Sequence, residues 1–325
     1  MPAAPAAGPF AGIQFGGFGS TIGVWVTAVR HLGTAEAVLR EWIERVDASC
    51  SRFRIDSDLN RANQAAGTPV EVAPELIDAV IAALEMAEIS DGWYDPTVGR
   101  AVVAAGYDRP MQVMEKSAPG GLGPAAPAGK WRDVVVDRSE STLTVPVATL
   151  LDLGGSAKGW AADRALELIR AALGEADEDV GICVNAGGDL AVAGPAPTAG
   201  WPVRVSHSLH GAAGAGDEQV RLYRGSIATS GAVRRTWRID GRDFHHLINP
   251  RTGRPGEEHW RLVTVHAARC AVADPAATVA WLMGADAPGW LESRGLTARL
   301  VTRDGEVRWV GPLTAALTVY SGTPL

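Results

Sequence analysis

Cysteine is scarce in this chain. Three occur among 325 residues, at positions 50, 183 and 270, and none belongs to a C-x-x-C pair. Such spacing argues against a disulfide framework or a clustered zinc site and leaves three small buried hydrophobes. Long apolar runs are also missing. No uninterrupted stretch reaches the roughly 18 residues of a membrane helix, so no membrane span is expected. Lys/Arg-rich runs are absent and the formal net charge is -7. That balance speaks against a general nucleic-acid binder. The start, Met1–Gly19, places no Lys or Arg ahead of its apolar residues and is interrupted by Gly12, Gly16, Gly17 and Gly19. It is a poor secretory signal, which by itself points to a cytoplasmic setting. There is no fixed-period repeat, no Walker A sequence and no G-x-G-x-x-G.

What is present fits a folded domain. Hydrophobic residues make up 46% of the chain, enough for a sizeable core at this length. The organisation expected is a flexible segment 1–18, one domain over 19–318 with a surface loop at 118–129, and a tail at 319–325. Ile22, Val24 and Val26 suit a strand. Val38, Leu39, Trp42, Ile43 and Val46 recur at helical spacing over Ala35–Ala48, and Pro74–Ser90 reads as a second helix opened by its proline. Strands are expected near Val134–Val136, Leu143–Val147, Cys183–Val184, Val203–Ser206, Val220–Tyr223 and Leu262–His266. Helices are expected from Lys158 to Leu173 and from Ala273 to Met283. Strands and helices mix without strict βαβ alternation, which favours an α+β fold with packed helices.

Three places carry chemistry. In Asp152-Leu153-Gly154-Gly155-Ser156-Ala157-Lys158-Gly159, an acidic residue ends an apolar run and two glycines permit a tight turn. A helix then begins with a lysine beside it. A helix N-terminus next to an open turn favours phosphate, although a plain turn uses the same residues. Asn185-Ala186-Gly187-Gly188-Asp189 and Thr229-Ser230-Gly231 are further turns of this kind. Asp274-Pro275-Ala276-Ala277-Thr278 opens the last helix, with Asp274 suited to the N-cap and Pro275 to the first helical position. Asp274 and Thr278 are four apart, so both oxygens lie on one face, a pairing that suits a hard divalent cation. In His245-His246, neighbours on a strand point to opposite faces. One of the two therefore faces any site, as a general base near neutral pH or as a structural hydrogen-bonding residue.

Taken in order, these segments resemble the ApbE family of FAD:protein FMN transferases. The matching stretches are Ser51-Arg52-Phe53-Arg54-x-Asp56-Ser57-x-Leu59, Tyr94-Asp95-Pro96-Thr97-Val98-Gly99, the Asp152–Gly159 turn and Asn185-x-Gly187-Gly188-Asp189. They continue with Thr229-Ser230-Gly231, His246-x-Ile248-x-Pro250-x-Thr252-Gly253 and Ala273-Asp274-x-x-x-Thr278. The resemblance runs from about Gly19 to about Gly284. It implies a T-fold-like architecture with mixed and antiparallel sheets. It also implies Mg2+ at the Gly155 carbonyl, Asp274 and Thr278, and His246 as the base. Contacts to FAD are implied for Phe53, Trp93, Tyr94, Asp95, Asp152, Lys158, Gly188, Asp189, Thr229, Ser230 and Ile248.

The activity implied is transfer of the FMN half of FAD to a Thr or Ser hydroxyl of a partner flavoprotein, with AMP released. Such partners are often membrane-bound redox proteins, and an extracytoplasmic setting is typical of the family. Hydrolysis of FAD to FMN and AMP, or simple FAD carriage, are the alternatives at the same site. This chain departs from the pattern at Phe18-Gly19-Ser20, where Met-Gly-Thr is common, at Arg100, where Gly-Pro often follows the preceding run, and at Asn249, where Asp is usual. Ala277 stands where some members have Asp, which removes one possible metal oxygen.

Overall fold

The computed structural model describes residues 9–111, 117–118, 123–205, 218–233, 235–239 and 241–320. Its centre is an eight-stranded sheet, antiparallel throughout, whose strands follow one another across the sheet in chain order. They are Ala11–Gly17, Ser20–Val26, Ile182–Ala186, Asp189–Ala193, Gly225–Ser230, Trp260–Ala267, Thr297–Thr302 and Val307–Val310. Helices Leu32–Cys50, Pro74–Ile89, Ala157–Leu173 and Cys270–Met283 contribute their apolar residues to the core on one face of the sheet. On the other face lies a small antiparallel sheet of Trp201–Val205, Glu218–Leu222 and Leu317–Tyr320.

Period-two alternation separates the two cores. Ile22, Val24 and Val26 enter the helix-side core, while Trp25 between them packs with the second. Ile182 and Val184 behave like the first group and Cys183 like the second. In the first helix, Ala35, Leu39, Trp42, Ile43 and Val46 are buried as the spacing anticipates. Trp42 also donates its indole N–H to the Ala161 carbonyl at 2.9 Å, which ties that helix to Ala157–Leu173.

Several boundaries differ from the sequence reading. The strand Ala11–Gly17 falls within the segment expected to be flexible and pairs along its whole length with Ser20–Val26. Residues 1–8 lie outside the described part of the chain. Leu317–Tyr320 is a strand and takes in the first two residues of the expected tail, while residues 321–325 lie outside the description. In the expected loop 118–129, residues 119–122 are not described, and Ala118 ends a short strand, Ser117–Ala118.

The last helix starts earlier than its local signals indicate. It begins at Cys270, so Pro275 is inside it and Asp274 is no N-cap. The reason is tertiary. Asp163, on the neighbouring helix, accepts the backbone N–H groups of Cys270 and Ala271, both at 2.9 Å. Two of the orphan donors of the new helix end are thereby satisfied from outside.

Candidate functional site

A cavity of about 1360 Å³ opens where the helix-side core meets the turns of the central sheet, and every site residue named above lines it. The Gly187–Gly188 turn shows how the backbone makes room. Both glycines have positive φ, +76° and +107°, as a two-residue hairpin requires. The hairpin delivers Asp189 to the cavity, where its carboxylate pairs with the Lys158 ammonium. That ammonium also lies 3.5 Å from Asp274 Oδ2. Lys158 therefore joins the glycine turn, the hairpin and the last helix at one point.

The same point is packed backbone against backbone. A Cβ on Gly159 would meet the Cys270 carbonyl at 2.3 Å and Asp274 Cβ at 2.7 Å, so the two helices touch there. Gly159 donates its N–H to Asp274 Oδ2 at 3.1 Å. Both side-chain contacts of Asp274 among the described residues use Oδ2, which leaves Oδ1 for another partner. Thr278, one turn on, shares a hydrogen bond of 2.9 Å with the Ser230 hydroxyl. A Cβ on Gly155 would stand 4.0 Å from Thr278 Oγ1.

Among the described residues no three His, Cys, Asp or Glu side chains cluster closely enough to hold a metal. The Asp274 carboxylate, the Thr278 hydroxyl and the Gly155 backbone instead line the same cavity. Oxygen donors of that kind, few in number, fit magnesium shared with phosphate and water.

Burial sets the electrostatics. It pulls the Lys158 ammonium down, but the Asp189 and Asp274 carboxylates outweigh it and leave Lys158 above its usual range. Burial and the Asp274 charge push Asp189 up to about 6, against the pull of Lys158. His246 is held well below its ordinary range by burial, then by the Arg235 charge, by His245 and by Lys158. It is therefore the neutral, proton-accepting form that faces the cavity near neutral pH. His245 does not line the cavity; its Nε2 lies 3.1 Å from the Gly256 carbonyl and its ring meets Trp281 edge-on.

Other residues at the cavity are engaged with the protein itself. Asp95 accepts the amides of Thr97 and Gly129, each at 2.7 Å, and burial holds its carboxyl above the usual range. Tyr94 is buried and donates its hydroxyl hydrogen bond to Ser156 at 2.7 Å. Asp152 accepts from Gly154 N–H and Arg52 Nε, both at 2.7 Å. Thr229 is tied to Thr264 at 2.9 Å. Trp93 lies under the Arg251 guanidinium, 4.3 Å from its ring centroid.

Arg52, Tyr107 and Arg235 also line the cavity and were not singled out from the sequence. Arg52 sits in a quoted motif, but its partner Asp152 is 100 residues away. Its guanidinium covers the Phe53 ring at 4.4 Å. Phe53 meets Tyr107 edge-on at 5.5 Å, and Tyr107 stacks on Trp237 at 5.4 Å. Phe53 remains 40% exposed, so this aromatic row presents a free edge fit for a planar ring.

Fold and cleft together define a class: an α+β domain with a large cavity lined by ionic and aromatic side chains. The chain belongs to the ApbE family, whose sequence model matches residues 18–311. A relative from Treponema pallidum, named FAD:protein FMN transferase, is 31% identical over 309 residues, 89% of this chain and 84% of its own length. Another of that name, from Salmonella typhimurium, is 28% identical over 90% of this chain and 86% of its own. The crystal structure of the ApbE protein from Thermotoga maritima superposes with a TM-score of 0.80 at 25% identity, covering 93% of this chain and 97% of that one.

Proposed function

We propose that this chain transfers the FMN half of FAD to a Thr or Ser hydroxyl of an acceptor flavoprotein and releases AMP. The observation that carries the reading is the meeting of Lys158, Asp274 and Thr278 with the Gly155 turn in one cavity that also holds His246. The family's transferase names support it.

Asp274 Oδ1, Thr278 Oγ1 and the Gly155 carbonyl would hold Mg2+. When bound, magnesium supplies neutralisation of the diphosphate's negative charge. Lys158 supplies a fixed cation beside it, and the row ending in Phe53 receives a ring of the dinucleotide. The acceptor hydroxyl oxygen attacks the FMN-side phosphorus and its proton passes to His246. The bond from that phosphorus to the bridging oxygen breaks, and the electron pair leaves on AMP. FMN remains joined to the acceptor through a phosphoester. The work of the site is positioning and charge neutralisation, as in other phosphoryl transfers.

Incubating the purified chain with FAD, magnesium and a candidate acceptor tests the reading. AMP should appear in step with flavin that stays on the acceptor through denaturation. Free FMN with unmodified acceptor would instead assign an FAD pyrophosphatase, and intact FAD a carrier.

A further inference from the structure

Arg235 belongs to none of the quoted motifs, yet the fold carries it to the site. The strands Thr236–Ile239 and Arg242–His245 form an antiparallel hairpin in which Thr236 lies opposite His245. Continuing that register by one step sets Arg235 opposite His246. Directly opposed residues of an antiparallel pair project to one face, and both of these line the cavity.

Three of the other cavity cations differ from it in one respect. Arg52 is paired with Asp152, Arg54 with Glu44 and Asp47, and Lys158 with Asp189 and Asp274. Among the described residues no ion pair holds the Arg235 guanidinium, although the residue is half-buried. The Asp189 carboxylate feels the Arg235 charge but does not pair with it, and a guanidinium drawn partly out of water without a paired counter-charge is costly to keep. An anionic ligand in the cavity would remove that cost, and a guanidinium fork matches phosphate oxygens two at a time.

We propose that Arg235 is a catalytic residue of the transfer, its guanidinium holding non-bridging oxygens of the diphosphate on the side of the cavity that carries His246. The proposal rests on the reading above that FAD occupies this cavity. Arg235 then has two effects. It meets the charge that develops as the phosphorus–oxygen bond breaks and the electron pair leaves on AMP. Its positive charge also disfavours protonation of His246, which keeps that ring ready for the proton of the acceptor hydroxyl.

The test compares the unchanged chain with Arg235→Gln and Arg235→Lys. The readouts are steady-state transfer to an acceptor, and fluorescence titration with FAD and with riboflavin in magnesium buffer, FAD integrity being checked by chromatography. Riboflavin has the ring and no phosphate. Arg235→Gln should raise KM for FAD and lower kcat by about 100- to 1,000-fold, the range of a lost transition-state donor. Its riboflavin binding should stay the same. Arg235→Lys should recover part of the loss, as a charge without the fork. An Arg235→Gln chain with unchanged kcat and KM, or equal weakening of FAD and riboflavin, overturns the proposal. An unchanged chain that neither binds FAD nor modifies an acceptor overturns the underlying reading instead. Should the Gln variant fail to fold, transfer by the Lys variant at the unchanged KM and kcat overturns the proposal.

Discussion

The Lys158 ammonium lies 3.5 Å from Asp274 Oδ2 while pairing with Asp189. Three segments distant in sequence thus share one cation, and the two side chains facing Lys158 are nearly sealed from water. Lys158→Met should leave both carboxylates buried together without the cation that pairs them. Breaking a buried pair from one side costs about 3–5 kcal/mol. The expected outcome is a large fall in Tm, measured by calorimetry, together with loss of transfer.

Asp274→Ala should act differently. It removes one proposed metal oxygen and leaves the Lys158–Asp189 pair in place. Transfer should fall by about 100-fold or more, since a metal's charge stabilisation is worth several kcal/mol. The far-ultraviolet circular dichroism should stay close to that of the unchanged chain. Normal transfer at low magnesium would remove Asp274 from the metal site.

Gly159 sits where two helices touch. Gly159→Ala places a methyl 2.3 Å from the Cys270 carbonyl and 2.7 Å from Asp274 Cβ. Both neighbours belong to a packed helix and neither is the far end of a flexible side chain. Overpacking of this kind costs about 1–3 kcal/mol. Denaturant melts should show that loss, and magnesium dependence should shift to higher concentration as Asp274 is displaced.

Asp163 holds the first two amides of the last helix. Asp163→Ala should cost about 1–2 kcal/mol, the range for a lost cap, read as a lower urea midpoint with an unchanged m-value. Some loss of transfer should accompany it, because Asp274 is carried by that helix.

The pH profile tests His246. Its imidazole is held well below 6.5 by burial and then by Arg235, His245 and Lys158. A base is active when unprotonated, so activity persists above the folded-state pKa and is lost as pH falls through it. The acid limb of kcat/KM assigned to His246 should therefore have its midpoint well below 6.5. His246→Ala should lower turnover by about 100-fold or more and abolish that limb. A limb at or above 6.5 would contradict the assignment.

Much of the cavity lining is legible in the sequence because its signals are local. A spacing of four puts Asp274 and Thr278 on one helical face, and two glycines before a helix mark the Asp152–Gly159 turn. Adjacency alone decides that only one of His245 and His246 faces the cavity. The start of the last helix was not readable, because its cap comes from Asp163, 107 residues earlier in the chain. The strand Ala11–Gly17 was hidden by its glycines; its residues alternate only between half-buried and exposed. Arg235 lines the cavity through a hairpin register that leaves no pattern along the sequence, and Arg52, although it lies in a matching stretch, is placed by an ion pair to Asp152, 100 residues away.

The most direct measurement is the intact mass of a candidate acceptor after incubation with this chain, FAD and magnesium. The account predicts an acceptor heavier by one FMN phosphoester, located on a Thr or Ser, and no such product with Asp274→Ala or in excess EDTA. An acceptor of unchanged mass beside free FMN and AMP would contradict it.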